Sequence, residues 1–486
     1  MQARAVQRLQ DYLADTSPQQ KQALLLGAIL LVALAVGLYV AALTPLYALA
    51  ATVVLVGGLL ILRSTQWGFF AIIAVTTLLP FGALPFRIGF RPTFLDVALL
   101  AVAFVWVVRL ATRRHGPLWI TPVGWPLLLF MLLALASFVA GLAHANLTAN
   151  LLRHFAEVQL ALGLFFVVVN SIRNRKQLEE VGLVLILCGG LQALVAVVLY
   201  FLPQDLTVRL LSTLGRFEYP TGTAVLRWIE DNPDMPLRAT GTAIGPNTLG
   251  GLLILVLGFT IPQIMARKPL LPRWLSAPIV AVMGLALYLT YSRTALVGLA
   301  VALGVLGVLR YRRLLLILLL VAVVFLALPQ TQYYVERFLE GVRFEDRANQ
   351  MRLGEYKDAF TLISRHPWLG VGFGGTPEID TYLSVASIYL LIAGQMGVVG
   401  LGAFLLTVGT LLLFLWGRRR AIADDPKFES VVMGALMGLV GALAGGMFDH
   451  YYFNLEFPST VTLFWLFAAL AVAGANIAGQ RSEAAS

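Results

Sequence analysis

The chain has 486 residues, of which 59% are hydrophobic and 12% are charged, and its mean hydropathy is +0.84. This composition excludes a soluble globular domain and indicates a protein that crosses a membrane several times. The net charge of +10 does not indicate nucleic-acid binding, because most basic residues lie in short clusters between apolar runs, where they set membrane topology.

The chain opens with a polar segment, residues 1–21, that carries both basic and acidic side chains. No cleavage-site pattern follows it, so we expect a cytosolic leader rather than a signal peptide. If this end is cytoplasmic, every short basic cluster between later apolar runs also falls inside, as the positive-inside rule requires. We therefore expect a multi-pass protein of the cytoplasmic (inner) membrane.

About fourteen apolar runs follow, most of them close to the ~20 residues that a helix needs to cross a bilayer. The runs are continuous and do not alternate, so they predict helices and an all-α polytopic bundle. Several runs are short, and twelve spans remain possible. The predicted spans are residues 23–43, 46–62, 67–84, 94–112, 122–142, 151–172, 178–203, 247–266, 275–292, 294–309, 314–329, 385–416, 429–448 and 458–475.

Two long polar loops divide these spans. The predicted organisation is an N-terminal transmembrane half (22–203), a first loop (204–246), middle helices (247–329), a second loop (330–384), and C-terminal helices with a tail (385–486). The topology places both loops on the outer side, so we expect them to form a cap over a site that faces outside. They are the only segments large enough to build a site outside the membrane.

Three arginines of the outer segments stand out. Arg238 precedes a Gly-Pro-Asn turn into the next span, Arg293 separates two apolar runs with almost no loop, and Arg352 opens an amphipathic helix. A cation here does not set orientation and needs water, a carboxylate or an anion. The planar guanidinium suits phosphate oxygens, so these arginines are candidates for binding a phosphate group. The alternative interpretations are a solvated loop residue for Arg238 and a snorkelling residue at a helix end for Arg293.

The sequence predicts no cofactor and no metal. The single cysteine, Cys188, lies in an apolar run, which excludes a cysteine-based metal site. Neither long loop carries paired histidines or a DxD cluster. The carboxylates of the second loop at 345–346 and 378–380 could in principle coordinate a cation. The glycine-rich stretch 370–375 lacks the preceding strand of a dinucleotide-binding fingerprint. It favours a tight turn whose backbone packs closely or approaches a ligand.

An ordered set of motifs in the second half of the chain resembles the O-antigen ligase and O-antigen polymerase superfamily. The set consists of Arg238 before Gly-Pro-Asn, Ser292-Arg293, Arg352 followed by HPWLGVGFG at 366–374, Tyr389-Leu390, and GVVGL at 397–401. The resemblance implies a C-type glycosyltransferase architecture and a metal-independent glycosyltransferase. It also implies that Arg238 and Arg293 hold the donor diphosphate; we expect Arg352 to assist them or brace the cap.

The resemblance further implies the reaction and its partners. The donor is an oligosaccharide on a polyprenyl (undecaprenyl) diphosphate carrier in the membrane. The acceptor is a hydroxyl on a glycan or lipid, either lipid A core for a ligase or another carrier-linked repeat for a polymerase. The expected role is therefore in lipopolysaccharide or polysaccharide biosynthesis at the outer face of the membrane.

The chain departs from the family at one position. Family ligases carry a histidine, the proposed base for the acceptor hydroxyl, where this chain has Ala386. We rank His450 first as a replacement base, oriented by Asp449, and rank Asp380 and Glu378 second, because all lie on the outer side. The other outer histidines are His144 in a short loop, His154 early in an apolar run, where it may pair within the bundle, and His366 in the turn motif.

Two other functions remain open. A transporter of an anionic substrate would share the span count, but no inverted repeat is visible and the charges gather in loops rather than at the middle of the membrane. A non-catalytic homologue in envelope assembly would keep the fold without the base at position 386. A cavity open sideways to lipid would favour a transferase, because the polyprenyl tail needs that entrance.

Overall fold

A computed structural model describes residues 52, 57–112, 118–332, 335–336, 339, 343, 347–376 and 384–485. The predicted leader, the first predicted span, most of the second and the candidate bases Glu378 and Asp380 lie outside the described residues. The chain divides into two compact units, Met1–Arg63 and Ser64–Ser486. Within the first unit, residues 57–63 are helical.

The second unit is helical, and the described residues contain no strand beyond two isolated bridges, Ala83 with Thr93 and Trp228 with Leu237. The all-α prediction is confirmed. The helices are α1 Thr65–Leu78, α2 Phe94–Ala111, α3 Gly124–Gly141, α4 Ala149–Ser171, α5 Arg175–Phe201, α6 Gln204–Ser212, α7 Pro246–Met265, α8 Arg273–Leu289, α9 Arg293–Leu309, α10 Arg312–Ala327, α11 Arg347–Arg365, α12 Ile388–Gly417, α13 Arg419–Asp424, α14 Pro426–Gly445 and α15 Pro458–Ala485.

Eight of the described helices are long and apolar enough to cross a membrane: α2, α3, α4, α5, α7, α12, α14 and α15. Three shorter apolar helices, α1, α8 and α9, coincide with predicted spans. The polytopic character is therefore confirmed for the described residues. The predicted span 67–84 is too long, because α1 ends at Leu78, two residues before Pro80, and a proline restricts the residue before it to extended backbone.

Polar side chains define where several helices begin. Thr93 caps α2 in a reciprocal arrangement: its hydroxyl accepts from the Asp96 amide (3.0 Å), while its own amide donates to the Asp96 carboxylate (2.7 Å). Thr148, Asn174 and Ser387 cap α4, α5 and α12 with a side-chain oxygen. These oxygens satisfy amides that have no partner in the first helical turn.

Helices α7, α14 and α15 form the centre of the bundle. Nearly all of the apolar stretch of α15 is buried, and α14 packs against α7, α9 and α15. Glycines allow α7 and α14 to approach closely: a Cβ added at Gly258 would lie 2.7 Å from the Gly438 backbone. Small residues serve this purpose in membranes, where van der Waals packing drives helix association.

Four ion pairs between helices lie at one end of the bundle, which we call the ionic face. They join helix ends that the sequence places on a common, cytoplasmic side. The pairs are Arg175–Asp425 (3.1 Å), Lys427–Glu179 (2.9 Å), Arg310–Glu429 (2.7 Å) and Arg481–Asp425 (3.7 Å), which link α5, α9, α14 and α15. The first loop and α11 lie at the opposite end, which we call the loop face.

The contact between α7 and α14 predicts a stability effect. Gly258→Ala should destabilise the protein by about 1–3 kcal/mol, because the new methyl group meets backbone that cannot move aside. Thermal unfolding in detergent would measure the loss. Gly284→Ala in α8 is the matched control: a Cβ there meets nothing within 4 Å, and alanine favours a helix. Equal melting temperatures for the two variants would contradict the packing argument.

The arrangement of charges predicts which residues reagents reach. In a Cys188→Ser background, cysteine at Glu218 on the loop face should react with a membrane-impermeant maleimide from outside. Cysteine at the exposed Asp424, on the ionic face, should react only after the membrane is permeabilised. The positive-inside rule sets this direction. Labelling of Asp424→Cys in intact cells would overturn the topology.

Candidate active site at the loop face

The first loop folds into a compact layer on the loop face. After α6, short 3₁₀ turns at 213–217, 222–225 and 229–231 bring Leu211, Val225 and Leu226 into a small apolar cluster. Trp228 and Leu237 pack against this cluster. The chain then enters α7 at Pro246. This packing fixes the segment that carries Arg238.

A cavity of about 510 Å³ lies at the loop face, and Arg238, Arg293 and Arg352 all line it. The structure thus brings together the three arginines that the sequence singled out, from the first loop, α9 and α11. Glu230 and Asp231 also line the cavity. The remaining lining residues are Trp228, Ile229, Asn247, Tyr291, Ser292, Thr294 and Met351.

Arg238 is fixed by contacts with two helices. Its Nε donates to the Thr290 carbonyl (2.8 Å) at the end of α8, and its Nη2 donates to Asn247 Oδ1 (2.6 Å) in the first turn of α7. Its backbone amide donates to the Arg227 carbonyl (2.8 Å). A guanidinium held in this way keeps its plane and direction, which is a requirement for bidentate recognition of an anion.

Arg293 is the first residue of α9 and follows a sharp turn. Tyr291 adopts the left-handed region with φ of 52°, which is uncommon for a bulky side chain and is typical of constrained sites. Ser292 then occupies the N-cap position, immediately before the helix. The turn therefore places an arginine and the partly positive N-terminus of a helix at the same cavity wall.

Asp449 is buried beside this cavity without lining it. Its Oδ2 accepts from Thr294 Oγ1 (3.4 Å), and Thr294 is a lining residue. Burial raises the pKa of Asp449, while the nearby charges of His450 and Arg352 act in the opposite direction. The carboxylate thus adds a proton-accepting group within the electrostatic reach of Arg352.

The structure shows a different relation between Asp449 and His450 from the predicted one. The backbone amide of His450 donates to Asp449 Oδ1 (3.0 Å), but His450 Nδ1 lies 3.9 Å from that oxygen, too far for a hydrogen bond. The ring packs against Tyr451 and Phe457, with centroids 5.1 and 5.6 Å away. His450 as a base oriented by Asp449 stays a prediction that needs a change of rotamer.

The other outer histidines lie apart from the cavity of the three arginines. His144 Nε2 lies 2.8 Å from the Val371 carbonyl, so it holds the glycine-rich segment. His154 lies in α4, where Arg153 Nη2 is 2.8 Å from its Nε2. His366 ends α11, where its amide donates to the Leu362 carbonyl (2.8 Å).

Position 386 carries a feature that sequence reasoning missed. Glu355 Oε2 accepts from the Ala386 amide (2.9 Å), and Tyr356 Oη donates to the Ala386 carbonyl (3.2 Å). Glu355 follows Arg352 by three residues, so both lie on neighbouring positions of α11. That spacing was visible in the sequence, but the docking of α11 on Ala386 was not. Glu355 therefore joins the candidate bases.

The glycine-rich segment packs by its backbone, as the sequence favoured. The amides of Val371 and Gly372 donate to the carbonyls of Gly394 and Gln395 (2.9 Å each) in α12. At Gly397 the helix is interrupted, with φ of 68° and ψ of −177°. A side chain at Gly397 would collide with the Trp368 carbonyl. These bonds fix the glycine-rich segment against α12.

Residues 278–405 match the family model described as O-antigen ligase. The matched segment runs from α8 into α12 and contains Arg293, Arg352 and Ala386, whereas Arg238 and Asp449 lie outside it. No curated protein matches the chain. The match confirms the resemblance to the O-antigen ligase and polymerase superfamily over this segment, and it supports a glycosyltransferase-type enzyme in a membrane.

Proposed function

We propose that the protein transfers an oligosaccharide from a polyprenyl diphosphate carrier to a glycan or lipid acceptor at the outer face of the cytoplasmic membrane. The observation that carries this proposal is the convergence of Arg238, Arg293 and Arg352 on one cavity at the loop face. Two of these arginines belong to the segment that matches O-antigen ligase.

The arginines suit the leaving group of this reaction. When the glycosidic bond to the carrier breaks, negative charge develops on the diphosphate, and donors already aimed at that position stabilise the transition state. Arg238, held by Thr290 and Asn247, needs little reorganisation to do so. Arg293 adds a second fork at the N-terminus of α9, which also favours an anion.

The acceptor hydroxyl attacks the anomeric carbon from the face opposite the diphosphate. The bond from the anomeric carbon to the diphosphate oxygen breaks as the new glycosidic bond forms, so the configuration inverts. The hydroxyl proton passes to a base. The candidates are His450 with Asp449 as its orienter, then Asp380 and Glu378, and now Glu355, which lies against Ala386.

The cavity's position favours a transferase over the alternatives. A transporter needs a route across the bilayer and binds its substrate near mid-membrane, whereas the three arginines gather at one end of the bundle. A non-catalytic homologue has no need of an arginine fixed in two directions. Reconstitution in vesicles with a carrier-linked oligosaccharide, with and without lipid A core, tests the reaction. Chain lengthening would identify a polymerase, and transfer to the core would identify a ligase.

The diphosphate role predicts the effect of a charge-conserving change. Arg238→Lys and Arg293→Lys should each lower the transfer rate about 100-fold, because lysine keeps the charge but loses the planar fork. Transfer would be measured at saturating acceptor, together with binding of farnesyl diphosphate as a donor probe. Arg209→Lys, on the exposed surface of α6, is the matched control and should retain normal transfer. Normal donor binding in both site variants would refute the assignment.

The base has its own test. His450→Ala, Asp380→Asn, Glu378→Gln and Glu355→Gln would be compared at saturating donor, and removal of the true base should lower transfer by about 100-fold to 10,000-fold. Farnesyl diphosphate binding should survive that change, because the base acts on the acceptor. If all four variants keep near-normal transfer, none of these residues is the base.

A further inference from the structure

A second cavity, of about 440 Å³, opens at the loop face away from the three arginines. It lies between the turn joining α1 to α2, the first turns of α4, and the chain that leads into α15. None of the roles proposed above uses it. Its wall combines two aromatic rings, Phe81 and Phe90, with charged side chains of both signs.

Its floor is a buried ion cluster. Arg153 Nη1 donates to Asp96 (3.0 Å) and to Glu157 (3.1 Å), and the exposed fractions of these three side chains are 10%, 9% and 0%. Thr93 Oγ1 also donates to Glu157 (3.1 Å). Arg153 Nη2 contacts His154, whereas the buried Arg153 Nε has no hydrogen-bond partner among the described residues.

This cluster ties α2 to α4, and it also borders the second cavity. Removing charged groups from water is costly unless their hydrogen bonds are satisfied. Arg153, Glu157 and Thr93 line the cavity, so a ligand there would meet charged and hydroxyl groups as well as aromatic rings.

The charges that line this cavity balance. Three arginines (Arg87, Arg91 and Arg153) face three glutamates (Glu157, Glu218 and Glu456), and Asp96 below Arg153 adds a fourth carboxylate, so the wall carries no excess of positive charge. Arg91 and Glu218 form an ion pair at the mouth. A balanced wall does not favour an anion such as a diphosphate. It offers many donors and acceptors beside aromatic faces, which is the chemistry that a neutral, polyhydroxylated sugar ring can use.

One chain segment separates the two cavities. Asp449, at its start, contacts Thr294 of the first cavity, and Glu456 and Pro458, at its end, line the second. Between them, the Phe457 ring packs on His450 (5.6 Å) and on Phe81 (6.1 Å). Residues 449–458 thus run from beside the first cavity to the wall of the second, and they carry the candidate base His450.

We propose that the second cavity binds a sugar of the acceptor, next to the donor diphosphate in the first cavity. That the bound sugar belongs to the acceptor rests on the proposed function. That the cavity binds a sugar at all does not depend on the proposed function. An acceptor sugar in the second cavity would then lie against the segment 449–458, which carries Asp449 and His450.

Saturation-transfer NMR on the full chain in nanodiscs tests sugar binding directly and suits weak ligands. The probes are free glucose, galactose, N-acetylglucosamine and rhamnose. At least one should receive saturation from the wild-type protein, and Phe90→Leu and Glu456→Gln should each reduce that signal at least about threefold. Phe86→Leu, an exposed ring of the same turn, and Asp205→Asn on α6 line neither cavity and should leave it unchanged.

Farnesyl diphosphate separates the two proposals. It should bind without displacing the sugar, because it occupies the first cavity. If no sugar receives saturation, if the control variants lose the signal equally, or if farnesyl diphosphate displaces the sugar, the second site is refuted. Failure of farnesyl diphosphate to bind would instead count against the proposed function, while a sugar signal sensitive to Phe90 and Glu456 would still support the second site.

Discussion

The lack of water inside a bilayer is the constraint on which this structure depends. Unpaired polar groups are costly there, so the charged side chains are driven to the two ends of the bundle. At the ionic face, pairs such as Arg310–Glu429 satisfy one another across helices. At the loop face, Arg153 pairs with Asp96 and Glu157, and three arginines from separate segments line one cavity. Both ends therefore collect charge, but only the loop face holds arginines of three segments around a single cavity among the described residues.

The helical class and the side of the membrane on which each loop lies could be predicted from the sequence, because both follow from the order of apolar runs and basic clusters along the chain. Once Arg238, Arg293 and Arg352 are assigned to one side, few places remain where they can lie, and the structure brings them to one cavity. The helical class follows from apolar run lengths in the same way. The end of α1 was missed because the apolar run continues past Pro80.

Features set by contacts between distant segments could not be predicted. The approach of Glu355 to Ala386 depends on how α11 docks on α12, and no local pattern encodes it. The ion cluster of Arg153 requires α2 and α4 to be neighbours. The direction of the His450 ring goes with its packing on Tyr451 and Phe457. The adjacency of Asp449 and His450 in the sequence suggested a hydrogen bond between the carboxylate and the imidazole ring. In the structure the carboxylate accepts from the His450 backbone amide instead.

The interruption of α12 at Gly397 makes this helix and the preceding loop depend on each other. The carbonyls of Gly394 and Gln395 accept hydrogen bonds from Val371 and Gly372, and the Val398 amide donates to Pro367. In the folded protein these groups find their partners in the segment 367–372 and not within the helix. A chain break in that segment would therefore leave backbone groups of α12 unsatisfied at the point where the helix is interrupted, so the loop and the helix depend on each other for complete hydrogen bonding.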